Sequence, residues 1–281
     1  MPNEKDVVVG RQGGRDLHVD IYRPEGGSVP TRAAVLLVHG GGWVVGSRDS
    51  MAALAGSFAA KGFLAIAVEY RLAGEAAWPA QLDDVSGAAR WAADNADRLG
   101  IDPGRLVLAG CSAGGQLAML AAAALKQQTR VAAVVALFPA SELSVAAEPA
   151  RGELNAVALL GPDATAEAVR SASPLHQISA DFPPTFLLHG GADWLIDPVA
   201  SLRVYEKLAS LGVPAELHIY AGALHEFSAE PGMVEPVTSE VASFLSRLLL
   251  DTDRWKAEAL ESNLFAKGPE FLKAMMENMH H

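Results

Sequence analysis

The pentapeptide Gly110-Cys-Ser-Ala-Gly114 separates two apolar segments of the chain. It follows the run 105–109 and precedes the Ala/Leu-rich segment 115–125. This order predicts a strand, a sharp turn and a helix, which is the context in which G-x-S-x-G holds a nucleophilic serine. The flanking glycines permit the tight turn, because a Cβ there would press against the neighbouring strand or helix. We therefore expect Ser112 to be a catalytic nucleophile.

Outward from this turn, apolar runs predict strands, and amphipathic or Ala-rich segments between them predict helices. Buried strands are expected at 33–38, 63–68 and 131–137, and the last two strands at 185–188 and 215–219, after an N-terminal β-hairpin at 7–9 and 17–22. Helices are expected at 51–61, 83–99 and 198–211, with a short one near 154–160. Strands that alternate with helices predict an α/β fold with a mostly parallel central sheet flanked by helices. Ligands bind such sheets beyond the carboxyl ends of the strands.

A length of 281 residues suits one large α/β core. We expect this domain to span 1–250, with the loosely patterned stretch 138–184 forming a lid-like insertion at the pocket. Residues 251–281 are predicted to form a C-terminal helical extension. An apolar stripe runs along it from Trp255 to Met279. We expect the stripe to dock on its own domain, with a homodimer contact or a wall of the cleft as alternatives.

The charge and cysteine content exclude several classes of protein. A formal net charge of −11 argues against nucleic acid or an anionic membrane surface as a partner. No apolar stretch reaches the length of a membrane-spanning helix, and the N-terminus lacks the pattern of a signal peptide. The single cysteine, Cys111, excludes an intramolecular disulfide and is expected to be a packed small residue. We therefore predict a cytoplasmic protein.

A carboxylate and a histidine follow the last two predicted strands. Asp193 comes after the first of these strands and His225 after the second, which gives the chain order Ser, Asp, His of α/β-hydrolases. In such a triad, Asp193 orients the imidazole, and His225 takes the Ser112 proton and later delivers it to the leaving group. Asp197 directly precedes Pro198 and is expected to cap a helix instead.

The sequence His39-Gly-Gly-Gly-Trp43 follows the strand predicted at 33–38. Consecutive glycines let backbone N–H groups approach a substrate oxygen with no side chain between them. We expect an oxyanion hole made by the N–H groups of Gly41, Gly42 and Ala113. His39 and His189 are expected to be scaffold residues. The remaining histidines lack the spacing of metal ligands, so no metal site is predicted.

Further segments carry a family resemblance: Tyr70-Arg-Leu-Ala73, Trp78 to Val85, and Ser173-Pro-Leu175. With HGGGW and GCSAGG they resemble the α/β-hydrolase-fold esterases. The resemblance is closest to the branch of hormone-sensitive-lipase-like and BD-FAE (feruloyl-esterase-named) enzymes, over about 33–250. It implies an α/β-hydrolase fold and cofactor-free hydrolysis of carboxylic esters through an acyl-enzyme on Ser112. It also implies structural roles for the Tyr70 segment and for the helix that carries Asp84.

Two features depart from that pattern. Only a hairpin precedes HGGGW, where hormone-sensitive-lipase-like enzymes usually carry a long cap. This favours the BD-FAE side and a site that is open or differently covered. Glu226 follows His225 at a position where the family usually has glycine.

The expected function is that of a serine carboxylesterase acting on small-molecule esters with short, medium, acetyl or aromatic groups. One alternative is a small-amide hydrolase similar to kynurenine formamidases, which share a very similar HGG-W and G-x-S-x-G layout. Another is an inactive ligand-binding protein on the same fold, although such proteins typically lose a triad residue. We expect Trp43, Trp194 and Leu224 to line the substrate pocket, whereas Trp78 is expected to fill the core.

Overall fold

Ten β-strands are present in the computed structural model, which describes residues 1–27, 29–125 and 128–278. In chain order they are β1 (Glu4–Gln12), β2 (Arg15–Tyr22), β3 (Ala34–Val38), β4 (Leu64–Val68), β5 (Leu106–Cys111), β6 (Val131–Leu137), β7 (Leu143–Ser144), β8 (Leu154–Asn155), β9 (Thr185–Gly190) and β10 (Ala215–Tyr220). Eight of them form one sheet in the order β1-β2-β4-β3-β5-β6-β9-β10, while β7 and β8 pair separately.

The sheet is parallel from β4 to β10, and the N-terminal hairpin joins β4 in antiparallel fashion. Val38 at the end of β3 pairs with Gly110 of β5, and Leu137 at the end of β6 pairs with Leu188 of β9. The carboxyl ends of these strands therefore lie along one edge. Every residue of β3, β4 and β5 is buried, as expected for strands covered on both faces. The predicted mostly parallel α/β fold is confirmed.

The described residues form ten α-helices. They are α1 (Ala52–Ala60), α2 (Ala80–Asp94), α3 (Ala96–Leu99), α4 (Ala113–Leu125), α5 (Val157–Leu160), α6 (Ala166–Ala172), α7 (Val199–Ser210), α8 (Val234–Leu245), α9 (Thr252–Ser262) and α10 (Pro269–Asn278). Helices α2, α4 and α7 pack in one buried cluster, and α1 and α8 pack in the other. Successive residues of β3 alternate between the two clusters, as the pleat of a strand requires.

Two predicted helices differ from the structure. The helix expected at 83–99 begins earlier and divides at Asn95 into α2 and α3. The helical piece expected near 154–160 starts as the short strand β8 and is helical only in α5.

The C-terminal extension is helical, but its apolar stripe does not dock on the core. No described side chain from 252 to 276 is buried, and Phe265 is 73% exposed. Trp255 is half-buried and donates its Nε1–H to Ser246 Oγ at 3.1 Å. Met279 lies outside the described residues. The expectation of core docking was wrong because the apolar periodicity specifies a face of a helix without specifying what that face contacts.

A buried ion pair joins the segment after β4 to helix α2. The carboxylate of Asp84 is fully buried and accepts from Arg71 Nε at 2.8 Å and from Arg71 Nη2 at 2.7 Å. It also accepts from the Arg71 backbone N–H at 2.9 Å. These contacts give Arg71 and Asp84 the structural role that the family resemblance implied.

Asp84→Asn should destabilise the fold, because it leaves the Arg71 guanidinium largely buried without its counter-charge. We expect a loss of about 2–3 kcal/mol in the free energy of unfolding. The measurement is the urea midpoint of the purified variant. Asp83→Asn is the matched control, since Asp83 is an exposed carboxylate one residue earlier in α2. Equal midpoints for the two variants would contradict a structural role for the pair.

Candidate active site

Ser112 lies on a tight turn between β5 and α4. Its φ of 54° is left-handed, a conformation that is costly for a non-glycine residue and that often occurs at functional sites. A Cβ on Gly110 would stand 2.2 Å from Gly114 O, and a Cβ on Gly114 would stand 2.1 Å from Val38 O. Both positions therefore require glycine, as the sequence predicted for this turn.

The structure brings together the three side chains that the sequence predicted as a triad. His225 Nε2 lies 3.0 Å from Ser112 Oγ, and His225 Nδ1 lies 2.6 Å from Asp193 Oδ2. Because the carboxylate can only accept, Nδ1 carries the proton and Nε2 is left to accept from the Ser112 hydroxyl. The imidazole is thus in the tautomer that a general base for serine needs.

Asp193 is buried among hydrogen-bond donors. Its Oδ1 accepts from the backbone N–H groups of Leu195 at 2.9 Å and Ile196 at 3.0 Å. Its Oδ2 lies 3.2 Å from His189 Nε2, in addition to its contact with His225. Burial favours a higher pKa for Asp193, but these hydrogen bonds outweigh it and hold the pKa well below its ordinary value. The side chain is therefore a stable anionic acceptor.

His189 is fully buried and contacts Asp193. Its Nε2 lies 2.9 Å from Ile196 O as well as near Asp193, and its Nδ1 lies 2.8 Å from Ser201 Oγ. Both groups facing Nε2 are acceptors, so Nε2 carries the proton and Ser201 donates to Nδ1. The scaffold role expected for His189 thus includes a direct contact with Asp193, which strand-end position alone did not reveal.

Phe138 is a site residue that the sequence did not single out. Its ring meets the His225 ring edge-on, with centroids 4.9 Å apart and planes at 64°. Its backbone N–H donates to Leu188 O at 2.6 Å, which ties it to β9. The available signal was its place directly after β6, at the sheet edge where the site lies.

The glycine loop after β3 adopts conformations that glycine allows. Gly41 has φ +108° and Gly42 has φ +56°, and a Cβ on Gly41 would stand 2.1 Å from Val45 O. The Gly41 carbonyl accepts from the N–H groups of Val44 and Val45, both at 3.1 Å. Ala113 is the first residue of α4, so its N–H has no acceptor within the helix. These are the three residues expected to form the oxyanion hole.

His39 and Tyr70 stabilise the glycine loop by hydrogen bonds to its backbone. Their rings stack with centroids 4.3 Å apart, and the Tyr70 hydroxyl donates to His39 O at 3.2 Å. His39 Nδ1 lies 2.7 Å from Gly40 O and donates to it. Burial lowers the pKa of His39 and raises that of Tyr70, so both side chains are neutral and structural.

Comparison with known proteins now assigns the chain to a family. The model of the BD-FAE family matches residues 19–208, well over half of the chain. The chain belongs to the BD-FAE family. Its fold is that of the α/β-hydrolases, as in the solved esterase structures that it resembles.

Individual relatives of this BD-FAE protein are esterases. It is 33% identical to ethyl acetate hydrolase of Pseudomonas putida, over 82% of this chain and 77% of that protein. It is 30% identical to esterase LipC of Mycobacterium tuberculosis, over 82% of this chain but only 62% of LipC. It thus spans less than two thirds of LipC. Thermogutta terrifontis esterase 2, solved after phosphonylation by sarin, aligns with a TM-score of 0.79 and 25% identity, over 89% of this chain and 96% of that one.

Of the three residues expected to line the substrate pocket, Trp43 lies in the core, whereas Trp194 and Leu224 lie at the surface. Trp43 is only 1% exposed and donates its Nε1–H to Gln116 Oε1 at 3.1 Å, within the core. Its backbone follows the glycine loop in a left-handed conformation, with φ 66°, and its ring packs in the core. Trp194 and Leu224 are 80% and 51% exposed and do not line the cavity next to the glycine loop. Trp78 packs against the core, as expected.

A cavity of about 250 Å³ lies between the glycine loop, α1 and the segment after His225. Its lining residues are Gly40, Gly41, Val45, Gly46, Ser50, Met51, Ala53, Leu54, Cys111, Phe138, Glu226, Ser228 and Ala229. From the stretch 138–184, which we expected to be lid-like, only Phe138 reaches this cavity. The sequence did not predict these walls, because α1 and the segment after His225 come together only in the fold.

Within 1–27, 29–125 and 128–278, no group of three or more His, Cys, Asp or Glu side chains is arranged to hold a metal ion. No helix of the same ranges is both long and apolar enough to cross a membrane.

Cys111 is buried beneath the turn, and its Sγ lies 3.9 Å from Ser228 Oγ. Burial raises the pKa of Cys111 to about 12, although the contact with Ser228 opposes this and the Glu226 charge adds to it. Since the thiolate is the reactive form, the thiol is chemically inert here.

Native protein should therefore resist iodoacetamide at neutral pH over a time in which protein unfolded in guanidinium chloride is alkylated completely. Intact-mass spectrometry measures the modified fraction of each sample. The unfolded sample is the control for reagent and thiol. Rapid stoichiometric labelling of the native protein would contradict a buried, protonated Cys111.

Proposed function

We propose that this protein is a serine carboxylesterase that hydrolyses small carboxylic esters through an acyl-enzyme on Ser112. The observation that carries the proposal is the continuous hydrogen-bonded chain from Asp193 through His225 to Ser112. The esterase relatives support the same reaction.

In the proposed reaction, Ser112 Oγ attacks the ester carbonyl carbon while His225 Nε2 takes its proton. Asp193 keeps the Nδ1 proton in place and stabilises the imidazolium that forms. The carbonyl oxygen becomes an oxyanion, which the N–H groups of Gly41, Gly42 and Ala113 would bind.

The imidazolium then protonates the departing alkoxide, which leaves the acyl group on Ser112. Water attacks this acyl-enzyme with His225 again as base, and the carboxylic acid product is released. Each proton that leaves Ser112 or water returns to a leaving oxygen, so the cycle needs no cofactor.

Small substrates are favoured by the size of the cavity. A volume of about 250 Å³ lies below the usual range for drug-sized ligands. The relative from Pseudomonas putida is named for ethyl acetate, which is a small acetyl ester. We therefore propose short acyl or acetyl esters as substrates.

A cytoplasmic setting fits the single buried thiol. A homodimer contact through the exposed apolar side chains of the C-terminal extension stays a prediction.

Ser112→Ala should lower kcat/KM for p-nitrophenyl acetate by on the order of a thousandfold or more, because the triad acts as a unit. Wild-type protein should also gain one phosphonyl group on Ser112 with an organophosphonate, and the variant should gain none. Ser228→Ala is the matched control, since Ser228 is a buried serine of the same cavity whose hydroxyl lies next to Cys111 Sγ at 3.9 Å.

The substrate panel should contain p-nitrophenyl esters of rising chain length, methyl ferulate and N-formylkynurenine. We expect rates to fall as the acyl chain outgrows the cavity. Faster turnover of the formamide than of any ester would reassign the protein as a small-amide hydrolase, and no turnover of the panel would indicate a binding protein.

Asp193→Asn and Asp197→Asn should separate the orienting carboxylate from a structural one. An amide at 193 lets the imidazole adopt the wrong tautomer, which costs on the order of ten-thousand-fold in serine proteases. Asp197 contacts the exposed Arg151 at 2.7 Å and accepts from Val199 N–H at 2.9 Å, so its loss should cost only a small amount of stability. The readouts are kcat/KM and the urea midpoint. An active Asp193→Asn beside an inactive Asp197→Asn would move the role to Asp197.

A further inference from the structure

The carboxylate of Glu226 stands at the wall of the cavity, beside the site. Its Oε1 lies 3.3 Å from the point where a Cβ on Gly40 would stand, and Ser112 Cβ lies 3.3 Å from that same point. The carboxylate is therefore close both to the glycine loop and to the proposed nucleophile. It is the single charged side chain among the cavity-lining residues that the structure describes.

Among the described residues, no hydrogen bond or ion pair reaches the Glu226 side chain. By contrast, Asp84 is paired with Arg71, and Asp193 is held by two histidines. Within the part of the chain that the structure describes, no cation pairs with the Glu226 charge, so this charge is available to a bound molecule.

The backbone conformation of Glu226 is unusual. Its φ of 61° is left-handed, which is uncommon for a residue with a Cβ, and its carbonyl accepts from Ala229 N–H at 3.0 Å. An outlier of this kind beside a site points to a functional reason for keeping the side chain.

The rest of the wall is largely apolar. Val45, Met51, Leu54 and Phe138 contribute hydrocarbon or aromatic surface. An alkylammonium group suits this combination, because its methyl groups pack on apolar walls and an aromatic ring while its charge faces a carboxylate. A neutral group gains only the packing, and an anionic group is repelled. The formal net charge of −11 adds an attractive field for cations.

We propose that Glu226 is a specificity residue that favours esters whose cavity-bound group carries a positive charge. The proposal rests on the esterase function proposed above, since it concerns which esters that reaction accepts.

The test compares substrates that differ only by N⁺ in place of carbon. On the alcohol side the pair is acetylcholine and 3,3-dimethylbutyl acetate. On the acyl side the pair is the p-nitrophenyl esters of trimethylammonioacetic acid and 3,3-dimethylbutanoic acid. The measured quantity is the ratio of kcat/KM for the cationic over the neutral member, compared between wild type and Glu226→Gln, so that intrinsic reactivity cancels.

In at least one pair, Glu226→Gln should lower this ratio by about threefold or more at low ionic strength. The wild-type ratio should also fall on addition of salt, because the Glu226 carboxylate is exposed to screening ions. Glu230→Gln is the matched control, since Glu230 is an exposed carboxylate four residues later that does not line the cavity.

An unchanged ratio in both pairs would overturn the proposal. A parallel loss on cationic and neutral esters would also overturn it, because that result indicates a displaced His225 and not charge recognition. If wild type hydrolyses neither neutral ester nor p-nitrophenyl acetate, the proposed esterase function fails instead.

Discussion

The contact on which the site depends is that of Gly114 with the end of strand β3. A Cβ at this position would stand 2.1 Å from Val38 O and 2.4 Å from His39 O, so the first turn of α4 can lie directly against the backbone of the neighbouring strand. This approach sets the Ala113 N–H beside the glycine loop. Without it, the proposed oxyanion donors from two separate segments could not converge on one point.

The two buried carboxylates of Asp84 and Asp193 are stabilised in different ways. Asp84 is matched by the Arg71 guanidinium and joins a loop to a helix, so its negative charge is neutralised within the pair. Asp193 receives two backbone N–H groups and two histidines and retains its negative charge beside an imidazole. Hydrogen bonds from neutral donors stabilise the buried anion but leave its negative charge in place. That negative charge is what stabilises an imidazolium beside it.

The sequence predicted the elements of the site well where one short segment sets its own backbone conformation. The strand, turn and helix around Ser112 follow from apolar runs and two glycines. Asp193 and His225 could be predicted because each lies in the loop that follows one of the last two strands. Prediction failed where the partner of an apolar face was undetermined. Trp43 had an aromatic ring next to the glycine loop and was expected in the pocket, yet it fills the core.

The sequence by itself determined the α/β fold, the turn at Ser112 and the candidate catalytic side chains, because residue identity and spacing govern backbone conformation over short distances. Tertiary structure alone decided which side chains share a space. It placed His189 behind Asp193, Phe138 against His225 and the carboxylate of Glu226 in the cavity wall. The reason is physical: the direction of a side chain after a left-handed turn and the neighbours it meets depend on the packing of segments far apart in the chain.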